Sequence, residues 1–220
     1  MKKGKLIVFD GGDAVGKKTQ SDKLTARLIS ENFPLMTYSF PQYETHFGKM
    51  VKQYLNGEFG NPVNINPKMA SLLYALDRQQ AAPSIRQSLE SGTNVLCNRY
   101  IESNMGFQSA KIKNEKERGE FLEWLLYTEH GQLGIPRSDL VIYLYMPLEE
   151  SKKLLEGRGE KQDGHESDRD FQQRVVEAYI SLAGKYKHWN LVNCASKDSG
   201  IRSIDDIHEE VYNLTKKFLN

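Results

Sequence analysis

The sequence predicts an α/β fold of three layers, α/β/α, in which helices cover both faces of a five-stranded parallel sheet. Short apolar runs alternate with longer stretches of helical periodicity along the chain, and a glycine-bounded turn joins the first run to the first helix. No linker or internal repeat interrupts this alternation. Because ligands of such sheets bind at the carboxyl ends of the strands, the turns at that edge are the candidate functional segments.

The strands and helices are predicted from their periodicity and end signals. The predicted strands are 5–10, 35–40, 93–98, 139–145 and 189–193. The main helices are predicted at 17–30, 47–55 and 66–90, with a last helix that begins near Ser203. Asn66 and the proline after it are typical of a helix start, and Met69, Leu72, Leu73 and Leu76 form an apolar stripe on the long helix. A polar, weakly periodic stretch at about 158–168 is a candidate lid.

Composition limits the classes of function. The 220 residues are most simply one domain, 1–220, and their 30 basic and 29 acidic side chains leave a net charge of +1. This balance does not favour a nucleic-acid or acidic-membrane partner. There is no signal-peptide pattern and no apolar run of ~18 residues. Cys97 and Cys194 lack metal-ligand spacing, so we expect reduced thiols in a cytoplasmic protein.

A phosphate-binding loop follows the first predicted strand. Its residues are Gly11, Gly12, Asp13, Ala14, Val15, Gly16, Lys17, Lys18 and Thr19. The glycines let backbone N–H groups converge on phosphate oxygens, the next helix adds unpaired donors, and Lys17 supplies a charge for the β- and γ-phosphates. The segment therefore matches the P-loop of nucleotide-binding domains, except that Lys18 replaces the Ser or Thr that ligates Mg²⁺ and Thr19 comes one place late. The alternative is an ordinary strand-to-helix connection.

Three further segments narrow the function. They are Phe-Pro-Gln-Tyr at 40–43, Leu-Tyr-Ala-Leu-Asp-Arg at 73–78 and Asn-Arg-Tyr-Ile-Glu-Ser-Asn-Met-Gly-Phe-Gln at 98–108. Together with the P-loop, this ordered set resembles the thymidylate kinase family, which transfers a phosphoryl group from ATP to dTMP. The resemblance covers about 6–186. It implies a P-loop NTPase fold with a short lid, ATP as co-substrate, Mg²⁺, and a homodimer formed through helical faces.

The resemblance implies where dTMP binds. The implied residues are Asp13, Phe40, Tyr43, Tyr74, Arg78, Arg99, Ser103, Asn104, Phe107 and Gln108. Thymine is expected against Tyr74, with its O4 near Arg78 and its N3 edge near Asn104. The sugar is expected between Tyr43 and Phe107, and the monophosphate at Arg99. The residue chemistry agrees, since Tyr74 offers a flat ring and Arg78 follows it one helical turn later.

Each assignment has a structural alternative. Tyr74 is also typical of a core aromatic residue on a helix. Arg78 and Arg99 are also typical of surface ion pairs, with Asp77 or Glu102 as partners.

Phosphoryl transfer is catalysed by positioning and charge neutralisation. The resemblance places Asp13 near the acceptor phosphate and the magnesium ion, and Lys17 and Arg99 with the phosphates. Since the P-loop contains no arginine, it also implies that the lid supplies cations, with Arg158 and Lys161 as candidates. Arg158 also lies where the family often has a residue flanking adenine. The alternatives are a turn-forming Asp13 and a lid of solvated charges.

Two departures from the family pattern bear on activity. Asn98 stands where the family commonly has Asp, and Lys18 stands where a hydroxyl residue would ligate the metal. Two alternatives therefore stay open: a kinase of another nucleoside monophosphate or of a deoxynucleoside, and a nucleotide-binding protein that has lost catalysis.

Overall fold

The computed structural model describes residues 2–157, 164–165, 168–196 and 200–219, and its centre is a parallel sheet of five strands. The strands are β1 (Leu6–Asp10), β2 (Leu35–Ser39), β3 (Asn94–Asn98), β4 (Leu140–Tyr145) and β5 (Trp189–Asn193). Their order across the sheet is β2-β3-β1-β4-β5. All five predicted strands are present, which confirms the predicted α/β class. A short antiparallel pair, β6 (Ala195–Ser196) and β7 (Gly200–Ile201), was not predicted.

Helices lie on both faces of the sheet. They are α1 (Lys17–Ser30), α2 (His46–Leu55), α3 (Pro67–Glu90), α4 (Ile101–Ser103), α5 (Glu115–Leu126), α6 (Leu148–Gly157), α7 (Arg169–Lys185) and α8 (Ile204–Leu219). Two of them continue as π-helical turns, α4 into Asn104–Gln108 and α5 into Tyr127–Gln132. None of the helices in the described part of the chain is both long enough and apolar enough to cross a membrane.

Alternation along the strands divides the core into two layers. Leu6 and Val8 of β1 pack into a cluster with residues of α3, α4, α5 and α7. Ile7 and Phe9 point to the other face, where α1 and α8 cover them. Because both faces are covered, every residue of β1 is buried and the strand is a continuous apolar run up to Asp10. This arrangement is the predicted three-layer α/β/α fold.

Helix α3 begins as predicted, and part of its apolar stripe is exposed. The Asn66 side chain accepts hydrogen bonds from the backbone N–H groups of Lys68 and Met69. Two residues of the apolar stripe are exposed, Met69 by 67% and Leu72 by 39%, whereas Leu73 and Leu76 are half-buried. Five of the eight buried residues of α3 are small, and the eight are Ala70, Ser71, Ala75, Asp77, Arg78, Ala81, Ala82 and Ile85. Small side chains let α3 pack closely, which the apolar periodicity did not reveal.

The register of the sheet brings two predicted site segments together. Phe9 of β1 pairs with Asn98 of β3, and the Arg99 N–H donates to the Phe9 carbonyl at 2.8 Å. The turn after β1 and the turn after β3 therefore leave the carboxyl edge of the sheet side by side.

Glu102 in α4 makes the stability of the fold depend on pH. Its Oε1 accepts a hydrogen bond from Ser138 Oγ, and its buried Oε2 has no partner among the described residues. Burial raises the pKa of Glu102 to about 7 from an ordinary 4.5. The native protein thus keeps a proton that the unfolded chain has already released. The free energy of unfolding should fall as the pH rises through this window, by roughly 3 kcal/mol at most.

Replacing Glu102 by Gln should remove this titration. We expect Glu102→Gln to gain stability relative to wild type between about pH 5 and about pH 8, measured by urea unfolding at both values. If wild type and mutant show the same change in unfolding free energy with pH, Glu102 does not titrate in this range.

Candidate active site

The P-loop lies between β1 and α1, where the glycines and the start of the helix place backbone N–H groups. Gly11 has φ +145°, and a Cβ there would lie 2.6 Å from the Leu144 carbonyl oxygen, so only glycine fits. Gly16, with φ 85°, precedes α1, and no side chain caps the first turn of that helix. Lys17 is buried, and its ammonium donates to the Gly12 carbonyl oxygen within the loop. Backbone N–H groups and one ammonium thus surround the space where phosphates are expected.

Lys18 and Asn98, the two departures from the family pattern, each contact a neighbouring side chain. Lys18 is exposed, and its ammonium donates to Asp22 Oδ2 at 2.6 Å on the outer face of α1. Asn98 donates from Nδ2 to Ser39 Oγ at 3.2 Å, while its buried Oδ1 has no partner in the described part of the chain. Lys18 therefore does not take the place of a metal ligand, and Asn98 keeps one free acceptor atom.

A cavity of about 170 Å³ opens beside the P-loop. Its lining consists of Asp13, Pro41, Tyr43, Leu55, Tyr74, Arg99, Ser103, Asn104, Phe107, Gln108 and His165. Eight of the ten residues predicted to bind dTMP are among them. The other two, Phe40 and Arg78, do not line this cavity and are buried beside it. Pro41, Leu55 and His165 line it without having been predicted.

Arg99 connects the cavity to the P-loop. Its Nη2 donates to Asp13, and its Nη1 donates to the Gly11 carbonyl oxygen and to Ser103 Oγ, both at 3.3 Å. Asp10 is its second ion-pair partner, at 3.8 Å. Arg99 thus pairs with Asp13 of the P-loop and with Asp10 at the end of β1, and not with Glu102.

Charge pairing keeps both partners ionised. Burial alone would lower the pKa of Arg99. The negative charges of Asp13 and Asp10 raise it by more than burial lowers it, so the pKa lies above its ordinary value. Burial raises the pKa of Asp13, but Arg99 and Lys17 outweigh burial and hold it below its ordinary value. At neutral pH the P-loop and the cavity are therefore joined by a charged pair.

Asp10 orients this region and was missed by the sequence analysis. Its carboxylate accepts hydrogen bonds from the Gly11 N–H at 2.8 Å, from Ser103 Oγ at 2.9 Å and from Tyr179 Oη at 2.6 Å. A carboxylate at the end of a buried strand beside a P-loop is a signal that the sequence did contain.

Beside the cavity, Arg78 is held in a buried network. Its Nε and Nη2 donate to the two carboxylate oxygens of Glu129 at 2.8 and 2.6 Å, and its Nη1 donates to the Tyr100 carbonyl oxygen at 3.1 Å. Neither Asp77 nor Glu102 is its partner. Asp77 instead accepts from the Gln42 N–H at 2.9 Å and so holds the 40–43 segment in place.

His165 closes one side of the cavity. Its ring stacks on Phe107 with centroids 5.7 Å apart, and its Nε2 lies 3.0 Å from Tyr54 Oη. Burial, aided by the Lys111 charge, lowers the pKa of His165 to about 4, so the ring is neutral at neutral pH. Gln172 Nε2 donates both to the His165 carbonyl oxygen and to Asp13 Oδ2, at 2.9 and 3.3 Å.

Two of the predicted catalytic residues fall on a part of the chain that the structure does not describe. Arg158 and Lys161, predicted to supply catalytic cations, lie outside the described residues, as does most of the predicted lid. In the described part of the chain, no cluster of three or more His, Cys, Asp or Glu side chains is placed to hold a metal ion.

Comparison with known proteins identifies the family. A family model described as thymidylate kinase matches residues 9–211. The thymidylate kinase of Dictyostelium discoideum is 30% identical over 97% of this chain and 86% of its own length, and that of Homo sapiens is 28% identical over 98% and 91%. The solved structure of thymidylate kinase from Candida albicans shares the fold, with a TM-score of 0.78 at 24% identity over 99% of this chain and 94% of that one. The P-loop, the cavity beside it and these matches agree, and the chain belongs to the thymidylate kinase family.

Proposed function

We propose that this chain, an ATP-dependent phosphotransferase like the other members of its family, binds ATP at the P-loop and dTMP in the adjacent cavity. The observation that carries this division is the Arg99 to Asp13 ion pair. Asp13 belongs to the P-loop and Arg99 lines the cavity, so a nucleotide in each site brings its phosphates to the same pair. This is the geometry that transfer between two nucleotides requires.

The reaction follows from these positions. A phosphate oxygen of dTMP attacks the γ-phosphorus of ATP, the bond from that phosphorus to the β-bridging oxygen breaks, and dTDP and ADP result. Arg99 binds the acceptor phosphate and lowers the repulsion between the two anions. Lys17 and the N–H groups at the start of α1 stabilise the charge that develops on the transferred group. Asp13 and Asp10 fix the direction in which Arg99 points.

Magnesium fits this site through Asp13. Mg²⁺ in nucleotide sites is usually held by one or two carboxylates together with phosphate oxygens and water. Asp13 stays ionised at neutral pH, and its Oδ2 is engaged only by Gln172 at 3.3 Å among the described residues. We assign Asp13 as the protein group that holds the ion, with the phosphates supplying the ligands that Lys18 does not. Bound there, Mg²⁺ neutralises charge on the ATP phosphates.

Base recognition is assigned to the other end of the cavity. Tyr74 lies on α3 with its ring edge-to-face against Tyr54, at a centroid distance of 6.0 Å, and is the surface on which thymine stacks. Asn104 faces the N3 edge of the base, and Tyr43 and Phe107 border the sugar. The contact of Arg78 with O4 stays a prediction, because Glu129 holds its guanidinium beside the cavity.

A homodimer is the proposed assembly. Met69, Leu72 and Phe59 expose apolar surface near the start of α3, beside an apolar groove of about 360 Å³. A second copy of the chain would cover this surface. Sedimentation velocity tests the homodimer, with a measured mass near 25.2 kDa counting against it.

Cys97 and Cys194 are buried free thiols, which fits the cytoplasmic location that we propose.

A panel of acceptors tests the function. With Mg²⁺ and ATP, we expect coupled ADP release to be fastest with dTMP, followed by dUMP, and at least about tenfold lower in kcat/KM with dCMP and the purine monophosphates. Cytosine presents an amine where thymine presents O4, and the purines lack the N3–H and O4 edge of thymine. Equal kcat/KM for dTMP and dCMP would favour a kinase of broader specificity. No ADP release with any acceptor would favour a nucleotide-binding protein without catalysis.

A further inference from the structure

We propose that Glu129 orients the side-chain amide of Asn104 so that its oxygen faces the cavity, and that this orientation selects bases carrying a hydrogen at N3. The inference rests on the proposed function, since it concerns how the same cavity chooses its base. Glu129 acts on the base through Asn104, which makes it a positioning residue for specificity.

The contacts of Glu129 are the first step. It is fully buried, and its Oε1 accepts hydrogen bonds from Arg78 Nη2 at 2.6 Å and from Asn104 Nδ2 at 2.9 Å. Its Oε2 accepts from Arg78 Nε at 2.8 Å. Arg78 in turn is fixed by the Tyr100 carbonyl oxygen. The carboxylate therefore cannot turn away from Asn104 without breaking its pair with Arg78.

The second step is the orientation of Asn104. Its Nδ2 donates to Glu129 and also to the Ser71 carbonyl oxygen at 3.1 Å. Both partners are acceptors only, because a carbonyl has no hydrogen and the carboxylate is occupied by two Arg78 donors. Turning the amide over would place Oδ1 against two oxygens. Both Nδ2 hydrogens are thus used inside the protein, and Oδ1 is the polar atom that Asn104 offers to the cavity it lines.

The third step is the chemistry of the base. At N3, thymine and uracil carry a hydrogen that Oδ1 of Asn104 accepts, whereas neutral cytosine has a lone pair that opposes it. If the Asn104 amide were free to rotate, it could turn its Nδ2 donor toward the N3 lone pair of cytosine. Cytosine would then bind almost as well as thymine. Glu129 removes this freedom. When a buried acceptor faces another acceptor, the mismatched base typically binds about 10- to 100-fold more weakly than the matched base.

The local backbone supports a role beyond stability. Asn104 begins one π-helical turn, Asn104–Gln108, and Glu129 lies in the other, Tyr127–Gln132. Such turns are rare and are often found at functional sites. A buried ion pair such as Arg78 with Glu129 is also weak evidence for stabilisation, because apolar residues of similar volume often serve as well.

The test replaces Glu129 by Gln, which keeps the shape but places a donor in the network. We expect the ratio of kcat/KM for dTMP to that for dCMP to fall by about 10- to 100-fold. Because both substrates are measured on one preparation, the ratio does not depend on the fraction of folded enzyme. The ratio of dTMP to dUMP should stay unchanged, since the two bases share the same N3 and O4 edge.

Glu129→Asp provides a second variant, because it keeps the charge balance with Arg78 and should fold even where Glu129→Gln does not. Its shorter side chain cannot reach Arg78 and Asn104 together, so we expect a smaller fall of the same ratio. Glu123→Gln, at an exposed position on α5, is the matched control and should keep the wild-type ratio. A wild-type ratio of dTMP to dCMP in a folded Glu129 variant, with only stability or total activity reduced, overturns the inference. Wild-type enzyme without activity on dTMP would instead overturn the proposed function.

Discussion

Lys17→Ala should lower kcat by about 10²- to 10³-fold while the protein stays folded. The ammonium of Lys17 lies within the P-loop, bonded to the Gly12 carbonyl oxygen, where it can move to the β- and γ-phosphates of ATP. A preorganised cation at that position stabilises the charge of the transition state more than that of bound ATP. Steady-state kinetics with saturating dTMP, and circular dichroism for folding, measure the two parts of this expectation.

The neighbouring lysine is the control. Lys18 is exposed and paired with Asp22 on the outside of α1, so Lys18→Ala should keep kcat within about twofold of wild type. Near-normal kcat in Lys17→Ala, or an equal loss in both variants, would contradict the assignment of the P-loop as the ATP site.

Arg99→Ala should lower kcat/KM for dTMP by about 10²- to 10³-fold and leave KM for ATP nearly unchanged. The guanidinium lies in the cavity, where an acceptor phosphate can take up its charge, and Asp13, Asp10 and Ser103 hold it in that direction. Initial rates with each nucleotide varied separately give the two constants. Thermal unfolding must be measured as well, because Asp13 and Asp10 each lose their ion pair with Arg99.

Arg86→Ala is the matched control for Arg99. Its Nη2 donates to the Gly134 carbonyl oxygen in a cleft near the amino ends of the strands, on the opposite edge of the sheet. It should show wild-type constants for both nucleotides. If Arg99→Ala raised KM for ATP and left the constants for dTMP unchanged, Arg99 would belong to the donor site.

The fold could be predicted because its signals are local. Strands buried on both faces are continuous apolar runs, and β1 is fully buried from Leu6 to Asp10. Asn66 caps α3 through bonds to the next few residues, which is also a local feature. Periodicity identified the apolar stripe that contains Met69 and Leu72, but it does not report whether another element covers that face, and both side chains are exposed. The π-helical turns that begin at Asn104 and Tyr127 had no sequence signal that we recognised.

The site was predictable only in part, for a related reason. The P-loop and the 98–108 segment each carry several candidate residues in a short stretch, so the motif spacing of the P-loop and the family resemblance of the 98–108 segment are readable from the sequence. Glu129 is 51 residues from Arg78 in the chain, and His165 is 111 residues from Tyr54. Such partners meet only through the packing of separate helices, and a single buried Glu or His resembles many others in the sequence.

Product analysis with labelled ATP tests the central claim most directly. Incubating the wild-type protein with Mg²⁺, γ-labelled ATP and dTMP should place the label in dTDP, with ADP formed in equal amount, since a P-loop and an acceptor cavity joined by Asp13 and Arg99 favour transfer between nucleotides over hydrolysis. Label appearing only as inorganic phosphate, or no turnover of ATP in the presence of dTMP, would contradict it.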